Sequence, residues 1–307
     1  MLNVSDKSIL IALVFRRICV NGVLNMFKKF FAITILLCGL SACVAPVKER
    51  GLLPGASATK LDLRQAKLDF PVYQFTEHSV ALGSDQLYAV SATRPDARAT
   101  VLFFGGNQYS IEKWSGQTLG YYQNIPVNVV LVDHLGYGAS TGTPTFDGMF
   151  AGAAASYTAL KSWPELGSLP VIVHGYSIGS FLAGHVAEKF TLDGLVLEGS
   201  ATTTEEWLKV IPRGLSRIIF PRFEIDDALK GRGNLALMAH LDEPILIVVG
   251  NKDTQTPALL SEKLYAAIPS TVRKRLVKVP KGTHLNSAWG AEFRDAFTAQ
   301  FLVPLKR

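Results

Sequence analysis

PVIVHGYSIGSFLAGHVAEKF, residues 170–190, carries a strand, a tight turn and a helix in twenty-one residues. The β-branched run at its start has strand length and is apolar on both faces, as a buried parallel strand should be. The stretch from residue 178 onward has helical spacing. Between them lies Gly175-Tyr176-Ser177-Ile178-Gly179, a G-x-S-x-G pattern. A serine on a sharp strand-to-helix turn has its hydroxyl thrust clear of the sheet. Flanking glycines remove side chains that would strike the neighbouring strand and helix. The helix start behind it offers the Ile178 N–H to a developing oxyanion. The pentapeptide alone is a weak signal, and its strand and helix context strengthens it.

Outward from this unit the chain alternates apolar runs with helix-like segments. Strands are predicted at 72–80 and 86–92, as an opening antiparallel pair, then at 100–104, 127–132, 170–174, 194–198, 244–249 and 275–279. Helices are predicted near 112–123, 147–162, 178–190, 258–268 and 288–302. This alternation predicts an α/β fold with a mostly parallel, doubly wound sheet. Such sheets hold their sites beyond the C-terminal ends of the strands. Residues 200–240 interrupt the rhythm. The stretch TTTEEWLKVIPRGLSRIIF reads as one or two amphipathic helices, either an ordinary crossover or a small apolar cap with Trp207, Ile211, Leu215, Ile218, Ile219 and Phe220.

Two further residues fall at strand ends. Asp253 follows the run 244–249, and His284 follows the run 275–279. A serine hydroxyl becomes a good nucleophile when an imidazole takes its proton, and a carboxylate fixes the tautomer of that imidazole. Singly, such an Asp is commonly a cap or turn residue and such a His a surface group. Together, and in the order Ser177, Asp253, His284, they read as a catalytic set. Glu198 also ends a strand and is the rival for the acid. His174 is expected to be structural, buried in its strand. His134 and His240 have no matching context. A second oxyanion donor belongs in the loop Gly105-Gly106-Asn107-Gln108, from the Asn107 N–H or alternatively that of Gln108.

At this point the chain resembles the α/β-hydrolase superfamily, within the serine-aminopeptidase-like and monoacylglycerol-lipase-like subgroup. FFGGN is similar to the His-Gly-Asn stretch of that family's oxyanion loop. Asp133-His134-Leu135-Gly136-Tyr137-Gly138-Ala139-Ser140, followed by Thr141-Gly142-Thr143-Pro144, is similar to its D-x-x-G-x-G-x-S-x-G-x-P loop. GNKDTQTP is similar to its acid loop. The resemblance covers the chain from about residue 70 to the end. It implies an esterase or lipase, with peptides and thioesters as alternative substrates, and structural roles for Asp133 and Ser140. Two positions depart from the pattern: Gly105 stands where the family has His, and Thr283 where it more usually has Gly. A non-catalytic envelope protein on the same scaffold is the competing class. An intact catalytic set argues against it.

Composition narrows the partners. Of the net charge of +6, Lys7, Arg16, Arg17, Lys28 and Lys29 against Asp6 place a surplus of four in residues 1–42, leaving +2 for the rest. No basic run with interleaved aromatics follows residue 50, so a nucleic-acid partner is not expected. The resemblance implies a small-molecule or lipid acyl substrate instead. No cofactor is implied, and the six histidines show no metal-ligand spacing. Cys19, Cys38 and Cys43 all lie in the first 43 residues, so the body holds no thiol for a disulfide. Lys28 and Lys29, the apolar run 30–40 and Leu40-Ser41-Ala42-Cys43 make a secretory signal peptide over 26–42. The run is too short to span a bilayer comfortably. Its end resembles a bacterial lipobox, which implies cleavage before Cys43, lipid on that residue and a membrane anchor. Val44 in place of Asp implies, by the same resemblance, the outer membrane. The expected organisation is a leader over 1–42, a lipidated N-terminus and tether over 43–60, and a hydrolase domain over 61–307.

Overall fold

The computed structural model describes residues 44–211 and 222–303. The leader, Cys43 and the apolar stretch 212–221 lie outside the described residues. The chain divides into two compact units, one of Met1–Pro46 with Arg213–Glu224 and one of Val47–Pro212 with Ile225–Arg307. In the first, the described residues belong to two short paired strands, Val44–Val47 and Arg222–Ile225.

The second unit is built on eight strands: β1 (Gln74–Leu82), β2 (Asp85–Thr93), β3 (Ala99–Phe104), β4 (Val127–Val132), β5 (Val171–Tyr176), β6 (Gly194–Glu198), β7 (Ile245–Gly250) and β8 (Lys274–Val279). Their order across the sheet is β1-β2-β4-β3-β5-β6-β7-β8. The β1–β2 and β2–β4 pairs are antiparallel and the remaining pairs are parallel. All eight strands fall within a few residues of their predicted places.

Side chains alternate between two cores. Leu102 and Phe104 of β3 join one apolar cluster, and Val101 and Phe103 join the other. Helices α3 (Phe146–Ser162), α4 (Gly179–Lys189) and α6 (Ala258–Ala267) cover the first face; α1 (Leu63–Asp69), α2 (Ile111–Tyr122) and α7 (Ala291–Phe297) cover the second. Burial on both faces is why the central strands β3 to β7 read as largely apolar runs. Each fully buried Val, Leu, Ile or Phe contributes about 1.5–3 kcal/mol.

Three expectations need adjustment. The stretch 44–60 is not a free tether from residue 47 onward. It forms a short helix, Glu49–Leu52, and a strand, Ala56–Ser57, parallel to Tyr137–Gly138. Leu53 is 1% exposed in the core, and Glu49 Oε1 accepts the Phe146 N–H at 2.6 Å. Composition rich in Gly and Pro hid the two leucines that tie this segment down. The predicted helix 288–302 starts only at Ala291, because Gly290 sits at φ +140, and it ends in a π-helical turn over Thr298–Leu302. In the irregular 200–240 stretch, the described residues form α5 (Thr204–Val210), a 3₁₀ turn (Asp227–Leu229) and a single helical turn (Leu235–Met238). Thr203 caps α5 by accepting the Glu206 N–H.

Candidate functional site

Register brings the candidates together. Phe104 pairs with Gly175 across β3 and β5, Tyr176 with Glu198 across β5 and β6, and Gly250 with Val279 across β7 and β8. The C-terminal ends of five strands therefore form one edge.

Ser177 occupies the turn between β5 and α4 with φ +54, the left-handed region that a residue with a Cβ rarely adopts. Such backbone strain costs on the order of 1–3 kcal/mol and persists only when the surroundings hold it. They do. The Ser177 N–H donates to the Glu198 carbonyl at 2.8 Å, and its own carbonyl accepts from the Ser180 N–H at 3.0 Å. A Cβ on Gly175 would lie 2.2 Å from the Gly179 carbonyl oxygen, and one on Gly179 2.1 Å from that of Phe104. Both glycines of the motif are therefore required by packing.

His284 sits in the loop after β8, and its Nε2 is 2.9 Å from Ser177 Oγ. Its Nδ1 is 2.8 Å from Asp253 Oδ2. A carboxylate at that distance fixes the proton on Nδ1 and leaves Nε2 as an acceptor facing the hydroxyl. Asp253 is itself held, with Oδ1 accepting the N–H groups of Gln255 and Thr256, both at 2.8 Å. Burial would raise its carboxyl. The His284 hydrogen bond and charge, with the Thr256 bonds, outweigh this and hold it below its ordinary value. Thr256 Oγ1 donates to Asp253 Oδ2 at 2.8 Å and lies 3.1 Å from His284 Nδ1. No pattern in the sequence marked Thr256, since its role depends on a turn that folds it back onto Asp253. Thr283, the departure beside His284, bonds Asn286 Oδ1 through both its N–H and its hydroxyl.

Glu198, the rival acid, does not reach the role by hydrogen bond. Its Oε1 accepts from Ser287 and Ala288, and its Oε2 faces His174. His174 is buried in its strand as expected, with Nδ1 2.5 Å from the Tyr122 hydroxyl. His240 is exposed.

In the oxyanion loop the Asn107 side chain is tied at both ends. Its Oδ1 accepts from the Tyr137 hydroxyl at 3.0 Å and its Nδ2 donates to the Leu52 carbonyl at 2.9 Å. Among the described residues, no acceptor takes the backbone N–H of Asn107 or of Ile178. Asn107 borders both clefts described below, and Gln108 borders neither, which favours Asn107 of the two loop candidates. The Gly105 departure has a local cause: a Cβ there would lie 2.0 Å from the Tyr109 ring. His134, which had no role in the sequence, bonds the Gly105 carbonyl through Nε2 at 2.8 Å. Burial pushes its pKa down to about 4, so it is a neutral imidazole donating to that carbonyl. Asp133 accepts the N–H groups of Ile111 and Ala139 at 2.7 and 2.8 Å, and burial pushes it up to about 6.

Two clefts meet at Ser177, His284, Asn107 and Gln255. One, of about 150 Å³, is walled by Leu52, Phe146, Ile178, Phe181, Ala201 and Trp207. The other, of about 130 Å³, is walled by Tyr109, Trp114, Gln117, Tyr121, Tyr176 and Leu285. Trp207 is pinned by its indole N–H, which donates to the Gln255 carbonyl at 2.8 Å. Among the described residues there is no group of three metal-binding side chains, and no helix is long and apolar enough to cross a membrane.

No family model matches the chain. It is 27% identical over 159 residues to the human alpha/beta hydrolase domain-containing protein 17B, covering 52% of this chain and 51% of that protein. It is 24% identical over 212 residues to protein bem46 of Schizosaccharomyces pombe, covering 67% and 68%. The chain thus spans about half the length of the human relative. Among solved structures, the Pyrococcus furiosus esterase Pf2001 superposes with a TM-score of 0.60 at 14% identity, covering 84% of this chain and 94% of that one.

Proposed function

From the α/β-hydrolase fold of this chain, we propose that it is a serine hydrolase that cleaves carboxylic esters through an acyl-Ser177 intermediate. One observation carries this reading: an unbroken hydrogen-bonded line from Asp253 through His284 to Ser177, ending where two clefts meet.

The chemistry follows from the tautomer. His284 Nε2 takes the Ser177 proton as Oγ forms a bond to the ester carbonyl carbon. The imidazolium is stabilised by Asp253, whose carboxylate is already fixed by Thr256 and Gln255. The tetrahedral oxyanion is held by the N–H groups of Asn107 and Ile178. The bond to the leaving alkoxide then breaks, and His284 returns the proton to that oxygen. Water, deprotonated by His284, attacks the acyl carbon and releases the acid and free Ser177. The two clefts suit a substrate with a compact group on each side of its carbonyl, one against aliphatic and phenyl walls, the other against tyrosine, tryptophan and glutamine.

A fluorophosphonate probe tests the reaction type. The parent chain is expected to be labelled on Ser177 and the Ser177→Ala variant to stay blank. An unlabelled parent, or equal labelling of both, overturns the reading.

The proposal extends to placement. Lys28, Lys29, the apolar run to Leu40 and the Leu-Ser-Ala-Cys ending support removal of 26–42 and lipid on Cys43. Mass spectrometry of the membrane-bound protein checks it, and an intact segment 26–42 refutes it.

A further inference from the structure

Beneath the triad lies a second polar cluster that the reaction above does not use. Tyr122, His174 and Glu198 are fully buried, and Ser287 is 1% exposed. A carboxylate removed from water in an apolar core is costly unless donors surround it. Here they do. Ser287 Oγ donates to Glu198 Oε1 at 2.6 Å, and the Ala288 N–H donates to the same oxygen at 2.9 Å. His174 Nε2 lies 3.2 Å from Oε2, too poorly angled for an in-line hydrogen bond. Its other nitrogen, Nδ1, lies 2.5 Å from the Tyr122 hydroxyl.

The connectivity is informative. Ser287 and Ala288 lie three and four residues beyond His284, in the same loop. The backbone carbonyl of Glu198 accepts the Ser177 N–H at 2.8 Å. Glu198 therefore grips the nucleophile turn with its main chain and the histidine loop with its side chain. This loop is also anchored by Thr256, whose hydroxyl lies 3.1 Å from His284 Nδ1, and by Gln117, whose Nε2 donates to the Leu285 carbonyl.

We infer that Glu198 is a positioning residue, which sets the separation of His284 Nε2 from Ser177 Oγ by holding both segments, with Ser287 as its handle on the loop. This rests on the serine-hydrolase reading. Small displacements in such pairs have large kinetic effects: about 1 Å of misplacement can cost ~10²-fold in rate.

The test uses the full chain and p-nitrophenyl acetate. Ser287→Ala is expected to lower kcat about tenfold, and Glu198→Ala ~10²-fold, with KM within about twofold. Glu198→Gln keeps an oxygen for Ser287 and Ala288 and is expected to recover much of the loss. The low-field proton resonance of His284 Nδ1–H, read without substrate, should shift or broaden in Ser287→Ala. If Glu198→Ala fails to fold, Ser287→Ala and Glu198→Gln still decide. Parent-like kcat and resonance in Ser287→Ala overturn the inference, as does a kcat loss that follows thermal stability alone. Failure of the underlying reading looks different: Ser177→Ala would then keep full esterase activity.

Discussion

The protein contains two buried histidine–carboxylate pairs at the same edge of one sheet, and they are built for opposite ends. In Asp253–His284 the atoms are 2.8 Å apart, and the second ring nitrogen faces a serine hydroxyl at the mouth of two clefts. In Glu198–His174 the atoms are 3.2 Å apart, both side chains are fully buried, and the second ring nitrogen faces a phenol in the core. The residue types are nearly the same. What differs is whether the free nitrogen of the imidazole opens onto a serine hydroxyl beside open clefts or onto a phenol in the core. A histidine beside a carboxylate is thus a general base only when its far side is accessible to a reacting atom.

The largest effect separates the pairs directly. Asp253→Asn removes the charge that orients His284, and on the proposed mechanism hydrolysis of p-nitrophenyl acetate should fall ~10³–10⁴-fold while the fold is retained. Comparable activity in parent and variant would erase the distinction. His174→Phe should do the reverse. It leaves the Tyr122 hydroxyl and Glu198 Oε2 facing an apolar ring, and should lower stability by about 1–3 kcal/mol in denaturant unfolding. Fluorophosphonate labelling of Ser177 should persist.

A third histidine sharpens the comparison through pH. His134 has its pKa pushed from 6.5 down to about 4 by burial, so the unfolded chain takes up a proton that the folded one refuses. Its stabilisation is complete above about pH 6.5 and is lost as pH falls toward 4, by about 3 kcal/mol in all. His134→Gln should flatten that part of the stability curve and keep a donor for Gly105. The smallest effect concerns Asp253, whose folded value lies below its ordinary 3.8. The stability it contributes is present above that value and lost as pH falls below it. The gap in melting temperature between parent and Asp253→Asn should therefore shrink in acid. A gap independent of pH would mean that ionisation of Asp253 contributes nothing to folding.

Much of this was legible from residue order. Strand-length runs before Ser177, Asp253 and His284 located three candidates at one sheet edge, since sites follow strand ends; the first two runs are apolar because they are buried on both faces, while the third keeps charged residues on its exposed side. The same logic left Glu198 open as the acid, because it too ends a strand. Thr256, His134 and the packed segment at 47–57 gave no comparable signal. Each acts through a contact made by chain reversal or across tens of residues, as His134 does with Gly105, 29 positions away.

The order of elements and the chemical types at their ends were determined by the sequence itself, because hydrophobic periodicity and turn residues act locally. Which carboxylate serves which imidazole was decided only by tertiary structure. That choice depends on how the loops after β6, β7 and β8 fold over one another, and a difference of a few tenths of an ångström with a change of angle separates a formed hydrogen bond from a mere neighbour.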